Sequence, residues 1–173
     1  MLDLKLGDLK IWNKLNQENL NKNQSIKFQN TENLNFAIII SEWNFKITAR
    51  LTSGLENEFK KNGVLLKNID KFYVPGSFEL IHACSSLINN FQYSAIIVVG
   101  CIIKGQTYHF ECVSNSVANS IGHLNSLGKT PVIFCVLTDN NIEQSLERSG
   151  GKFGNKGEEA AITALRMATL RFK

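Results

Sequence analysis

The sequence predicts an α/β protein in which a four-stranded parallel sheet is covered by helices on both faces. From residue 35 onward, strand-like and helix-like segments alternate, and this order requires crossover connections, which produce parallel strands. Three of the four strand-like runs are continuously apolar, as burial on both faces of a sheet demands: residues 36–40, 95–103 and 132–137. A chain of 173 residues that is 43% hydrophobic is long enough for one domain with a core.

The first half of the predicted domain opens with the strand at residues 36–40. Residues 45–61 are predicted to be helical because apolar side chains recur there every four residues, and Gly63 can close the helix. These side chains are Ile47, Leu51, Leu55 and Phe59. Residues 69–74 alternate apolar and polar side chains, which is typical of a half-covered strand near an edge of the sheet. A second helix is predicted over residues 77–89.

The second half continues with the strand at residues 95–103 and a helix over residues 110–127. One face of that helix carries Val113, Val117, Ile121 and Leu124. The strand at residues 132–137 precedes a short helix at 141–149, a glycine-rich segment at 150–157 and a last helix at 158–170. The apolar face of the last helix consists of Ala161, Ala164, Leu165 and Ala168.

Residues 1–34 differ from the rest of the chain because they are rich in Asn, Lys and Gln. We predict that they form a loosely ordered tail and that the folded domain occupies residues 35–173. Two alternatives remain open, a short amphipathic helix within residues 4–15 and a short strand near residues 26–29. The first twenty residues contain no apolar signal-peptide core.

Composition argues against several classes of partner. The net charge of +4 comes from 19 basic and 15 acidic residues with no dense basic block, so nucleic acid is not expected. The longest apolar runs fall far short of the ~20 residues of a membrane helix, so no membrane span is expected. The cysteines show neither C-x-x-C nor zinc-finger spacing, so we expect no metal, and reduced thiols in a cytoplasmic protein. They are Cys84, Cys101, Cys112 and Cys135.

Candidate site residues follow the first three strands, at the end of the sheet where open α/β proteins bind ligands. Trp43 comes after the first strand, and Ser77 and Glu79 come after the second. The third strand leads into Gly105-Gln106-Thr107 and then His109. An aromatic plane, a carboxylate, turn amides before a helix and an imidazole suit a flat polar ring that carries hydroxyls, with an anion nearby.

Each of these features also has a purely structural explanation. Trp43 could instead cover a hydrophobic edge. Ser77 and Glu79 at a helix start could simply cap the helix, and a loop histidine such as His109 is often only solvated. Arg148 ends the short helix, where interaction with the helix dipole alone would justify a basic residue. The segment 150–157 could bind an anion or serve as a flexible joint.

Six short segments, taken in order, carry a more specific signal. They are Trp43-Asn44, VPGSFE at 74–79, GCIIKGQTYHF at 100–110, PVIF at 131–134, IEQ followed by ER within 142–148, and GNKG at 154–157. Together they resemble the 6,7-dimethyl-8-ribityllumazine synthases of riboflavin biosynthesis, over residues 35–170. The resemblance implies a flavodoxin-like three-layer sandwich and a cofactor-free enzyme. Its substrates would be 5-amino-6-(D-ribitylamino)uracil and 3,4-dihydroxy-2-butanone 4-phosphate.

The resemblance also implies roles for individual residues. Trp43 is implied to stack on the pyrimidine. The residues implied in binding the pyrimidine and its ribityl chain are Trp43, Gly76, Ser77, Phe78, Glu79, Cys101, Ile102 and Ile103. Gly105, Gln106, Thr107 and Arg148 are implied in binding the phosphate. Lys156 is implied at the ribityl or phosphate end, and Phe134 is implied to close over the ring. His109 is implied as the proton carrier, and histidine is suited to this because it exchanges protons near neutral pH.

The chain order also suggests a site that is shared between subunits. The helix before Arg148 is predicted to run back for about nine residues, roughly 13 Å. Arg148 and Phe134 are therefore expected near the far edge of their own sheet, away from His109. A neighbour in a closed ring could supply them. The resemblance implies pentamers with sites between subunits, and the short 150–156 connection resembles that of members that build sixty-subunit shells.

Three features depart from the family pattern. Glu42 stands where an arginine is usual, Trp43 stands where phenylalanine is more usual, and the N-terminal tail is longer. These differences bear on substrate affinity and leave His109, Arg148 and Lys156 in place. The alternative is a protein of the same fold that binds a flavin or lumazine without catalysis, or that only forms a shell. A pure binder needs no phosphate site, so the intact set of three favours the enzyme.

Overall fold

The fold is built on a parallel sheet, as a computed structural model that describes residues 28–170 shows. Its strands are β1 (Phe36–Ser41), β2 (Ile69–Val74), β3 (Ala95–Ile103) and β4 (Val132–Asp139). Their order across the sheet is β2-β1-β3-β4, and all the pairings are parallel. From β1 the chain adds β2 on one side, and it then crosses back to add β3 and β4 on the other side. The switch point between β1 and β3 is where such sheets bind ligands.

Helices cover both faces of the sheet within the described residues. They are α1 (Phe45–Lys61), α2 (Leu80–Asn90), α3 (His109–Ser126), α4 (Ile142–Arg148) and α5 (Lys156–Thr169). The side chains of α1 and α5 join the core on one face, and those of α2 and α3 join the core on the other. The predicted flavodoxin-like three-layer α/β fold is confirmed.

Strand alternation divides the core into two clusters. In β1, Ile38 points into the cluster of α1 and α5, and the next residue, Ile39, points into the cluster of α2 and α3. Phe36 of β1 stacks on Phe59 of α1 with ring centroids 4.4 Å apart. The four apolar side chains that predicted α1 are all buried: Ile47, Leu51, Leu55 and Phe59.

The two edge strands differ in how much of each is buried. β2 is an edge strand with alternating burial, as expected. β4 forms the other edge, but its residues contribute to both core clusters, as its apolar run predicted. The exception is Phe134, which is 41% exposed.

Two element boundaries differ from the prediction for visible reasons. α2 begins at Leu80 rather than at residue 77 because Ser77–Glu79 form a turn, in which Ser77 packs closely against Gly100 of β3. The glycine-rich segment after α4 is a small hairpin of β5 (Ser149–Gly151) and β6 (Gly154–Asn155). It leads directly into α5, which Asn155 caps by accepting a 2.8 Å hydrogen bond from the Gly157 amide.

The described part of the chain begins at residue 28. The alternative helix within residues 4–15 lies outside the described residues, as does half of the alternative strand at 26–29, whose residues 28 and 29 are not in a strand. Phe28 and Leu34 pack partly buried against the core of α1 and α5. Contact with the domain therefore begins before residue 35.

Candidate active site

Most of the predicted site residues line one cleft of about 700 Å³ at the carboxyl ends of β1, β2 and β3. This is the switch point of the sheet, where the sequence placed the site. The predicted residues that line the cleft are Trp43, Gly76, Ser77, Phe78, Glu79, Cys101, Ile102, Ile103, Gly105, Thr107 and His109. Gln106 lies in the same loop and is exposed, but its side chain is not part of the lining.

Trp43 offers an accessible aromatic plane at the mouth of this cleft, with 72% of the residue exposed. The loop that carries it extends the pairing of β1 with β2. The Trp43 amide donates a 3.0 Å hydrogen bond to the Pro75 carbonyl, and the Glu42 amide donates one of 2.8 Å to Val74. On the other side, the Asn44 side-chain amide donates to the Cys101 carbonyl at 2.9 Å. The indole therefore projects from a backbone that is anchored to both neighbouring strands.

Ser77 and Glu79 enter the cleft from the turn before α2. Ser77 is buried, and a Cβ at Gly100 would come within 2.7 Å of the Ser77 Oγ, so glycine in β3 makes room for the serine. Glu79 is exposed in the turn, and it makes no side-chain capping hydrogen bond to α2. The simple capping explanation for Glu79 therefore finds no support in the geometry.

The loop after β3 presents backbone amides in front of an 18-residue helix. Its first residue, Lys104, forms a 3.0 Å ion pair with Glu111 in the first turn of α3, and this hydrogen bond lowers the pKa of the Glu111 carboxyl. A Cβ at Gly105 would meet no atom within 4 Å, so a ligand can approach the loop closely there. His109 is the first residue of α3 and is exposed to the cleft. A helix start of this kind favours an anion.

Phe134, Arg148 and Lys156 line a second cleft of about 590 Å³ that runs along the outer edge of β4. The Arg148 Nε lies 3.6 Å from an Asp139 carboxylate oxygen, and its guanidinium carbon lies 5.5 Å from the centre of the Phe153 ring. The Lys156 Nζ contacts the Glu159 carboxylate at 2.8 Å. Among residues 28–170 none lines both clefts, so within one chain these three residues and His109 belong to different clefts.

The predicted position of Arg148 was wrong in one respect. It was expected near the amino end of the sheet, but Asp139 is the last residue of β4, so Arg148 lies beside the carboxyl end of that strand. The reason is that α4 has only seven residues and the Ser145 hydroxyl on it donates a 2.7 Å hydrogen bond to Asp139. Phe134, the third residue of β4, lines the same cleft as Arg148.

Sequence reasoning missed several residues that line the first cleft: Phe110, Cys112, Val113 and Ser116 of α3. Helical spacing could have found most of them, because positions three, four and seven after His109 share its face of the helix. It also missed Asp139, Phe153 and Glu159, which contact the charged groups of Arg148 and Lys156. Asp139 comes from a strand end and Phe153 from a hairpin, and no local spacing signals either contact. Glu159 stands three residues after Lys156 on α5, a spacing that could have been recognised.

Residues 28–170 contain no group of three or more His, Cys, Asp or Glu side chains placed to hold a metal ion. Among the helices of that described region, none has the length and apolar content to cross a membrane.

Comparison with known proteins agrees with this geometry. A family model described as 6,7-dimethyl-8-ribityllumazine synthase matches residues 33–171. The 6,7-dimethyl-8-ribityllumazine synthase of Christiangramia forsetii is 49% identical over 154 residues, which cover 88% of this chain and 92% of that protein. The protein of the same name from Flavobacterium psychrophilum is 48% identical, over 89% of this chain and 82% of its own. The Bacteroides fragilis protein is 45% identical, over 78% and 94%. The chain belongs to the 6,7-dimethyl-8-ribityllumazine synthase family.

Proposed function

We propose that this chain catalyses the penultimate step of riboflavin synthesis. It condenses 5-amino-6-(D-ribitylamino)uracil with 3,4-dihydroxy-2-butanone 4-phosphate to 6,7-dimethyl-8-ribityllumazine, and it releases phosphate and water. The family membership supports the reaction. The observation that carries it in the structure is the single cleft in which an accessible indole, a carboxylate, amides before a long helix and an imidazole converge.

The groups in this cleft match the parts of the two substrates. Trp43 stacks on the pyrimidine ring, and the end of β3 at Ile102 and Ile103 reads its polar edge through backbone groups. Ser77 and Glu79 hold the ribityl hydroxyls. The anionic phosphate lies at the amides of residues 105–107, where the start of α3 favours negative charge.

The chemistry requires proton transfers rather than a metal or redox cofactor. The substrate amine attacks the ketone and water leaves, which gives an imine. Phosphate is then eliminated, and the second ring closes with loss of another water. His109 borders the cleft beside the phosphate loop, where it can move protons between these groups. Alignment of two substrates supplies much of the rate, so no single side chain carries all of it.

The second cleft completes the site of a neighbouring chain. Arg148 supplies a planar fork for phosphate, Lys156 supplies a second positive charge, and Phe134 closes over the ring. The supporting observation is that these groups line the outer edge of β4, separate from His109, on a strand edge with an exposed phenyl ring. Repetition of one head-to-tail contact closes a ring, which we propose is a pentamer, and pentamers of this chain could build sixty-subunit shells.

We also propose a cytoplasmic location. All four cysteines are free, and three of them are buried among core residues: Cys84, Cys101 and Cys135. Free thiols of this kind are typical of a reducing compartment.

The test is a direct assay of lumazine formation by absorbance with the purified chain. The expected result is product formation that requires both substrates and that His109→Ala slows. A chain that binds flavin or lumazine tightly but forms no product would instead be a non-catalytic binder of the same fold. A separate titration of lumazine binding, monitored by fluorescence, distinguishes the two results.

A further inference from the structure

A buried polar chain connects the two clefts beneath the surface of the protein. The Cys101 thiol, at the wall of the first cleft, donates to the Ser145 Oγ at 3.4 Å. The Ser145 hydroxyl donates to Asp139 Oδ2 at 2.7 Å. The other carboxylate oxygen of Asp139 faces the Arg148 Nε at 3.6 Å. Ser145 is fully buried and the Asp139 side chain is 8% exposed, whereas the Arg148 side chain is 43% exposed.

A buried carboxylate is costly unless hydrogen bonds and a positive charge compensate it. Within the described residues Asp139 has one of each, from Ser145 and Arg148. Its backbone is also fixed, because its carbonyl accepts a 2.9 Å hydrogen bond from the Lys104 amide. Asp139 is thus held at both its main chain and its side chain. In this ion pair the long, half-exposed Arg148 side chain is the partner with conformational freedom.

The contact engages the arginine from one side only. Asp139 faces Nε, and the Phe153 ring lies near the guanidinium carbon. Contact at Nε leaves the terminal nitrogens available, and these form the fork that binds phosphate. An arginine that is ordered before the ligand arrives loses less conformational entropy on binding.

We propose that Asp139, held in place by Ser145, is a positioning residue that orients the Arg148 guanidinium for the phosphate group of the substrate. This inference rests on the proposed function, which gives Arg148 the phosphate. Asp139 itself touches neither substrate. A competing effect has the opposite sign, because a carboxylate near the phosphate also repels it. The direction of the change on removal of the charge therefore decides between positioning and simple charge balance.

Asp139→Asn is the sharpest variant because it keeps the shape and removes one acceptor. Ser145 and Arg148 face different oxygens of Asp139, and an amide keeps an oxygen at only one of these two positions, so it offers an acceptor to only one of the two donors. The expected result is a rise of about tenfold in KM for the phosphate-bearing ketone. The kcat and the KM for the pyrimidine should change by less than about twofold, because an arginine that is only misoriented alters binding of one substrate. Glu56→Gln is the matched control, since Glu56 pairs with Lys71 at 2.8 Å on the opposite edge of the sheet.

A double-mutant cycle with Arg148→Lys gives a readout that a merely structural role would not change. Lysine has no planar fork to orient, so Asp139→Asn should have almost no further effect on this KM in the lysine background. An equal effect in both backgrounds would overturn the proposal. So would a lower KM for the ketone in Asp139→Asn, or a rise that is the same for both substrates.

Ser145→Ala keeps the proposal testable if Asp139→Asn does not fold. It removes the hydroxyl and retains the charge, so we expect a rise of about threefold in the same KM, and no rise would count against positioning. Calorimetric binding of inorganic phosphate to the intact oligomer separates this proposal from the proposed function, because it needs no turnover. Weaker phosphate binding in the variant supports positioning even if the wild type forms no lumazine, and unchanged or tighter binding overturns it.

Discussion

Complementation between two inactive chains tests whether the two clefts belong to one shared site. His109→Ala damages the cleft at the switch point, and Arg148→Ala damages the cleft along β4. Each change alone should reduce turnover strongly, by ~10- to 1000-fold for loss of a general acid–base group. The two variants are purified separately, dissociated together and reassembled.

The size of the recovery follows from the separation of the clefts. A site is intact when the chain with a good first cleft meets a chain with a good second cleft. Random mixing in equal amounts makes each condition true for half of the chains, so about one quarter of the interfaces should regain an intact site. The absorbance of the lumazine product measures this fraction against the wild-type protein.

A matched mixture provides the control. His109→Ala and Glu79→Ala both damage the first cleft, so every interface in that mixture keeps one defect and little activity should return. Native mass spectrometry establishes that mixed oligomers form in both cases. If mixed oligomers of His109→Ala and Arg148→Ala remain as inactive as the control, both halves of the site must come from one chain and the reasoning fails.

Three further outcomes are expected. His109→Ala should slow single-turnover product formation by ~10- to 1000-fold, whereas an unchanged rate in stopped-flow measurements would remove His109 from the proton transfers. Gly157→Ala should lower the free energy of unfolding by about 1–3 kcal/mol or more, because a Cβ there overlaps the backbone of Leu51. Gly122→Ala is the control, because a Cβ there has open space, and it should be neutral or stabilising by about 0.5–1 kcal/mol. Denaturant titration measures both changes. Alkylation of the native protein should label Cys112 alone among the cysteines, because its thiol is exposed. The pyrimidine substrate should slow this labelling, since Cys112 lines the first cleft. Early labelling of a buried cysteine, detected by peptide mass mapping, would contradict the expectation.

The cysteine expectation depends on burial rather than on sequence position. Burial raises the pKa of the Cys84 thiol and of the Cys135 thiol to about 12, so neither forms the reactive thiolate at ordinary pH. Cys112 stands in the first turns of α3 and is exposed.

The parts of the fold that follow from local periodicity could be predicted. The four-residue spacing from Ile47 to Phe59 determines α1, because it places one continuous stripe against the sheet. The position of the first cleft was predictable too, since strands in a parallel sheet bring their carboxyl ends to one edge. Trp43 and His109 could be assigned to this cleft because each of them follows a strand.

The features that could not be predicted depend on contacts between distant segments. The turn at Ser77 exists because Gly100, in another strand, leaves space for its side chain. The hairpin before α5 is fixed by Arg50 of α1, whose Nε donates to the Ser149 carbonyl at 2.9 Å, and by the Asn155 side chain, which donates to the Arg50 carbonyl. The partner of Arg148 likewise comes from a strand end nine residues earlier. The spacing of residues along the sequence gives no direct signal of such contacts between distant segments.

The division of each chain into two separate clefts has a consequence for mixtures of sound and damaged subunits. In the proposed ring, each chain serves two different neighbours, one through each cleft. A chain damaged in one cleft removes one site, so activity falls in proportion to the fraction of such chains. A chain damaged in both clefts removes two sites, and activity then falls as the square of the sound fraction. Co-expression of a doubly damaged chain should therefore act as a dominant inhibitor, whereas a singly damaged chain should only dilute the enzyme.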